Sequence, residues 1–380
     1  MPYWRLSSFY LFYFAALGAL LPYWGLYLKQ LGFPALDIGV LMAIPMATKI
    51  AAPFVWGWLG DRLGQRMRIV RFGALMTTLV FSGVFWLTGF WTLALAMVLF
   101  SFFWNAVLPQ FEAVTLNYLG DRAEHYARIR VWGSIGFILT VILLGMAVDA
   151  RGPVVVLPVL LLIYAAIWLA SLAIRDPATA GEGGQQPPIL SILKRPSVIA
   201  FFLVCFLLQA GHGTYYAFFS IYMERVGYSK TLIGQLWALG VVAEVMVFLF
   251  MHRLLLRFGA RRVLMASLFL AVIRWLLIGN YPQVLPLLLF AQLLHAATFG
   301  TFHASAIHLV HRYFRGRHQG RGQALYSSLS FGAGGALGSL LSGLLWSGAG
   351  PAATYDLSAL FSLIGLLVAW RWVVNDLERP

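Results

Sequence analysis

The chain has 380 residues, of which 61% are hydrophobic and only 11% charged, and its mean hydropathy is +0.81. A soluble domain of this size carries far more surface charge, so this composition excludes one. The formal net charge of +14 raises nucleic acid as a partner, and the placement of the charges decides against it.

Hydrophobic runs of about 18–25 residues, long enough to cross a bilayer's hydrocarbon core, occur twelve times. In chain order they predict spans near 8–28, 38–60, 69–89, 93–117, 131–149, 153–174, 197–223, 231–252, 262–280, 284–306, 321–346 and 353–372. The first run reads as a span and not as a signal peptide. It is too long, ends in aromatics and lacks a small-residue cleavage site. With a cytoplasmic N-terminus, 21 of the 27 Lys and Arg fall on the cytoplasmic side and four on the outer side. This asymmetry predicts that both termini are cytoplasmic. Cys205, the single cysteine, lies in the seventh span. An intramolecular disulfide is thereby impossible and a Cys-based metal site excluded.

A connector of low hydrophobicity, 175–196, rich in Pro, Gly and Gln, divides the chain into residues 1–174 and 197–380, each with six spans. The halves repeat with an offset of 195. Tyr27 meets Tyr222, Gly32 meets Gly227, Ile38-Gly39 meets Ile233-Gly234, and Arg62, Gly64 and Arg66 meet Arg257, Gly259 and Arg261. The expected fold is an all-α membrane protein of twelve transmembrane helices in two pseudo-symmetric six-helix bundles. Such parallel repeats rock about a central site in one large transporter class.

The loop after the second span reads Gly57-Trp-Leu-Gly-Asp61-Arg62-Leu-Gly64-Gln-Arg66. It resembles the cytoplasmic G-x-x-x-D-R-x-G-x-R signature of the major facilitator superfamily. Glycines allow a tight turn and close helix approach. Asp61, Arg62, Gly64 and Arg66 are the candidate cytoplasmic gate. In the second copy Leu256 stands where Asp61 stands, so a gate there is degenerate. A nearer likeness lies in Tyr126–Ser134, Leu208–Tyr216, Leu236–Val245, Ile273–Trp275 and Gln292–Phe299. These segments resemble the bacterial 3-phenylpropionate permease group, relatives of the oligosaccharide and nucleoside proton symporters. The resemblance implies proton-coupled uptake of an aromatic carboxylic acid across the bacterial inner membrane. The fifth span reads Gly133-Ser-Ile-Gly136, without the proline of the superfamily's antiporters, which argues against efflux.

Four full charges lie well inside the membrane by these spans, away from the span ends: Lys49, Glu112, Glu244 and Arg274. Each costs roughly 2.5–3.5 kcal/mol at mid-membrane on insertion scales. They are retained either as structural ion pairs or because they face an aqueous path. Glu244 lies about eight residues from the end of its span, Arg274 about twelve into the next and His295 about eleven into the one after. At about 1.5 Å per residue these depths match. Desolvation favours a protonated acid and a neighbouring Arg favours its anion, so movement of the Arg switches the proton. This assigns Glu244 as proton carrier, Arg274 as its modulating partner and His295 as a hydrogen-bonding neighbour. The oligosaccharide symporters, which this arrangement resembles, use an acid, an Arg and a His on the same three spans.

Lys49 falls opposite Glu244 in the repeat. It reads either as counter-charge for a carboxylate substrate or as a structural ion pair. Glu112 and Arg130 resemble the substrate-binding pair of the oligosaccharide symporters, and Asn105 lies on the same face of the fourth span as Glu112. Gln209, His212 and Tyr216 form a stripe on the seventh span, and Gln292 precedes His295 on the tenth. His212 also reads as a satisfied interhelical hydrogen-bonder. Gly332–Ser339 reads as a small-residue packing face.

The expected partners are a small-molecule substrate, protons and membrane lipid, with no nucleic acid, no metal and no cofactor beyond the proton gradient, and the expected state is a monomer. No hydrolase elbow, phosphate-binding Gly-Lys loop or zincin motif is present, so an enzyme is not expected. A nucleoside or oligosaccharide proton symporter is the alternative within transport. A non-transporting receptor or sensor is the alternative outside it, and it lacks a soluble output domain.

Overall fold

The computed structural model describes residues 2–176, 189–315 and 318–373. Most of the connector, residues 177–188, lies outside the described residues. Among the described residues, twelve helices are long and apolar enough to cross a membrane: α1 (Tyr3–Gln30), α2 (Ala35–Leu63), α3 (Arg66–Trp86), α4 (Phe90–Leu119), α5 (Tyr126–Arg151), α6 (Pro153–Leu172), α7 (Pro196–Val226), α8 (Lys230–Phe248), α9 (Ala260–Asn280), α10 (Leu285–Tyr313), α11 (Gln319–Gly348) and α12 (Gly350–Trp372). Each falls on a predicted span. A spanning segment must satisfy its backbone internally, so the helices outrun the apolar runs at most ends. α5 starts five residues before its predicted span and so includes Arg128 and Arg130. α8 stops earlier, at Phe248, and a separate short helix, Met251–Phe258, follows.

The chain forms two compact units, Met1–Gly183 with Gly227–Ala238, and Gly184–Val226 with Leu239–Pro380. The division falls inside α8, whereas the connector assigns all of α8 to the second half. The first turns of α8 pack within the first unit for local reasons. Gly234 backs directly onto the Val141 carbonyl of α5. Asp149, near the end of α5, accepts hydrogen bonds from the Lys230 and Thr231 amides at 2.8 and 2.7 Å and from Thr231 Oγ1 at 2.6 Å. A carboxylate so placed caps the orphan N–H groups of a helix start.

Within each unit the repeat is visible as packing. In the first, α1 and α5 meet through Gly18, against the Phe137 carbonyl, and Gly136, against Leu11. In the second, the equivalent pair α7 and α11 meet through Gly213, against Gly335 and Ser339, and Gly338, against Ala210. Small residues let helix backbones approach closely in a membrane protein. The Gly332–Ser339 face therefore packs on α7.

Candidate functional site

In the second unit, four helices bring polar side chains together in an apolar surround. α7 supplies Gln209, His212 and Tyr215, α8 supplies Glu244, α9 supplies Arg274, and α10 supplies Gln292, His295 and Thr298. All are buried except Glu244, which is half-buried. His295 Nε2 lies 3.5 Å from Glu244 Oε2. The hydrogen bond of Arg274 goes from Nη1 to Thr298 Oγ1 at 2.9 Å, and its guanidinium lies over the rings of Tyr215 and Trp275 at 4.5 and 4.6 Å. Tyr215 donates to Gln292 Oε1 at 2.8 Å. His212 Nδ1 bonds the Leu208 carbonyl at 3.0 Å, and its ring lies 6.5 Å from that of His295. Tyr216, half-buried, stands beside His212 at 5.9 Å.

Two glycines bring α8 and α10 this close. A Cβ on Gly240 of α8 would meet the His295 Cβ at 3.2 Å, and one on Gly300 of α10 would meet the Glu244 Cγ at 3.0 Å. Each helix thus clears space for the other's titratable side chain. Directly after His295, residues Ala296–Thr301 form a π-helix, and α11 has a second at Ser327–Gly334. Such segments inside α-helices occur frequently at functional sites. They stand next to each other, with the Phe299 and Phe331 rings 6.0 Å apart. Thr298, Gly240 and Gly300 escape a reading of the sequence. Thr298 had one signal, its place three residues after His295 on the same helix face.

The cluster also holds polar atoms that have no hydrogen-bond partner among the described residues. They are Arg274 Nε and Nη2, Gln292 Nε2, Gln209 Oε1, His212 Nε2 and His295 Nδ1. Buried polar groups in proteins are normally satisfied, so this concentration marks a place suited to a polar guest.

The first unit holds the remaining candidates. Lys49 on α2 is half-buried and has no ion-pair or hydrogen-bond partner among the described residues. Its neighbour Thr48 donates to Ser101 Oγ at 3.0 Å. Asn105 commits its amide hydrogens to α2, at Thr48 Oγ1 (2.8 Å) and the Pro45 carbonyl (3.1 Å). Glu112 accepts a hydrogen bond from Tyr126 at 3.1 Å. The Arg130 guanidinium stacks 3.6 Å over the Phe14 ring, and no ion pair between Arg130 and Glu112 forms among the described residues.

At the α2–α3 turn, Gly64 adopts φ +63° as the left-handed end of α2, a conformation that glycine takes without strain. Arg66 pairs with Asp61 Oδ1 at 2.6 Å and donates to Gln110 Oε1 of α4 at 2.8 Å. Gln110 in turn donates to the Trp56 carbonyl at 3.3 Å. A Cβ on Gly60 would lie 2.7 Å from Oε1, so any larger residue there would shift the Gln110 amide. Arg62 is exposed and lies over Trp58. Gln110 is a member of this network that the loop motif alone does not reveal.

Known proteins share this architecture. The probable 3-phenylpropionic acid transporter of Escherichia coli (strain K12) is 32% identical over 352 residues, covering 89% of each chain. The maltose permease of Geobacillus stearothermophilus is 25% identical, covering 95% of this chain and 92% of its own. The crystal structure of nucleoside transporter NupG superposes with a TM-score of 0.82 at 17% identity, covering 98% of this chain and 98% of that one. The sequence profile of the MFS_1 like family matches residues 3–357. Twelve spans, that match and these relatives make the chain a multi-pass membrane transporter and a member of the MFS_1 like family of the major facilitator superfamily.

Proposed function

We propose that the chain is a proton-coupled symporter that imports a small organic acid, an aromatic carboxylate such as phenylpropionate, by alternating access. The observation that carries this reading is the Glu244–His295 contact of 3.5 Å, held by two glycines in a buried cluster with Arg274. A carboxylate facing a histidine inside a membrane span is a group that can take up and release a proton as its surroundings change. Glu244 takes the proton, His295 hydrogen-bonds it, and Arg274 sets which form is favoured in each conformation. Intramembrane ionisable residues typically mark such pathways. The acid as cargo is supported by the cations: Lys49 is unpaired among the described residues and Arg274 is fully buried. It is supported also by the relative at 32% identity, named as a probable 3-phenylpropionic acid transporter.

The reading places the protein as a monomer in a bacterial inner membrane with both termini cytoplasmic, as the distribution of Lys and Arg supports. It needs no cofactor beyond the proton gradient. Whole-cell uptake of radiolabelled 3-phenylpropionate, a nucleoside and a disaccharide, with and without a protonophore, tests it. The expected result is saturable uptake of the acid that the protonophore abolishes. Protonophore-sensitive uptake of the nucleoside or disaccharide instead would move the substrate to Glu112 and its neighbours. Uptake insensitive to the protonophore would overturn proton coupling.

A further inference from the structure

Arg274 is 0% exposed, with the Tyr215 hydroxyl within its reach and no carboxylate paired with it among the described residues. Nη1 is held by Thr298 and the faces of the guanidinium are covered by Tyr215 and Trp275. The edge formed by Nε–H and Nη2–H has no partner among the described residues. That edge is the planar fork that matches a carboxylate with two parallel hydrogen bonds. A buried cation without hydrogen bonds on its donor edge is costly. Thr298 and the two rings fix the orientation of the fork, so little side-chain freedom is lost when an anion docks. Tyr215 occupies the Gln292 carbonyl oxygen, which leaves the buried Gln292 amide nitrogen, without a partner among the described residues, as a further donor. Glu244, the nearby acid, is turned to His295.

We propose that the Arg274 fork, assisted by Gln292, is the anchor for the substrate's carboxylate. This rests on the organic-acid reading above. It adds a consequence for coupling: the substrate carboxylate and the Glu244 carboxylate are rival counter-ions for one guanidinium. The acid binds when Glu244 is protonated, so one site loads both.

The test is equilibrium binding of radiolabelled 3-phenylpropionate to the purified full-length protein, with 3-phenylpropanol as neutral competitor. The readout is the ratio of acid to alcohol affinity. The wild type should prefer the acid by about 10- to 100-fold, the scale of charge-assisted hydrogen bonds. In R274Q the ratio should collapse to about one, R274K should fall between because it keeps the charge and loses the fork, and K49Q should lose less than R274Q. If R274Q does not elute as a monodisperse protein, R274K decides. A preserved preference in the Arg274 variants, or a collapse in K49Q larger than in R274Q, overturns the proposal and leaves the acid reading standing. A wild type that binds neither probe overturns both.

Discussion

Gly300 of α10 lies close against Glu244 of α8: a Cβ on Gly300 would sit 3.0 Å from the Glu244 Cγ, so the Glu244 side chain would have to give way. The half-buried acid therefore keeps its place by the absence of an atom on the facing helix. Gly240 does the same for His295 from the other side. Gly300→Val should displace Glu244 without changing any charge. Overpacking of this kind costs about 1–3 kcal/mol. Gradient-driven uptake should fall by about tenfold or more, while the protein is still inserted in the membrane. Uptake rates normalised to membrane-inserted protein check this, and wild-type rates would show that the approach is dispensable.

The network at the α2–α3 turn separates a surface charge from a buried amide. The side chain of Asp61 is 71% exposed and that of Arg66 29%, and exposed ion pairs contribute about 0–1 kcal/mol. Gln110 is buried and joins Arg66 to the Trp56 carbonyl. Leaving a buried polar group unsatisfied costs about 1–3 kcal/mol. Gln110→Leu should therefore lower thermal stability in detergent more than Asp61→Asn does. The comparison is a pair of thermal unfolding midpoints, and the opposite order would assign stability to the exposed pair.

Asp149 caps α8 through three hydrogen bonds. Removing a helix cap costs about 1 kcal/mol, and between two conformations of similar free energy that is about a fivefold change in population. Asp149→Ala should shift the conformational balance of the transporter, whereas Asp149→Ser, which still accepts from the helix amides, should shift it less. The adjacent Val148 is buried. A cysteine introduced there, in a chain lacking Cys205, reports the shift through its alkylation rate. Equal rates in all three proteins would contradict a role for the Asp149 cap in that balance.

The twelve spans were legible in the sequence because lipid leaves a chain few options: apolar runs must become helices, and their length is set by the bilayer. Lys49, Glu112, Glu244 and Arg274 stood out for the same reason, since a charge in an apolar run is conspicuous. What escaped depends on which helix faces which. Gly240 and Gly300 are ordinary glycines until α8 and α10 pack, and Gln110 and Thr298 are ordinary polar residues until they meet Arg66 and Arg274. The π-helical segments of α10 and α11 follow no periodicity visible in the sequence. The role of Tyr126 is likewise hidden among sixteen tyrosines, and contact with Glu112 brings it out.

Glu244→Gln in proteoliposomes separates proton carriage by Glu244 from a purely structural role. A glutamine keeps the shape and a hydrogen bond toward His295 but cannot ionise. Two quantities are measured on the same vesicles: exchange of labelled for unlabelled 3-phenylpropionate with no gradient, and accumulation driven by an inward proton gradient. If Glu244 carries the proton, exchange persists and gradient-driven accumulation is lost. Accumulation of 3-phenylpropionate against its own gradient by Glu244→Gln would contradict it.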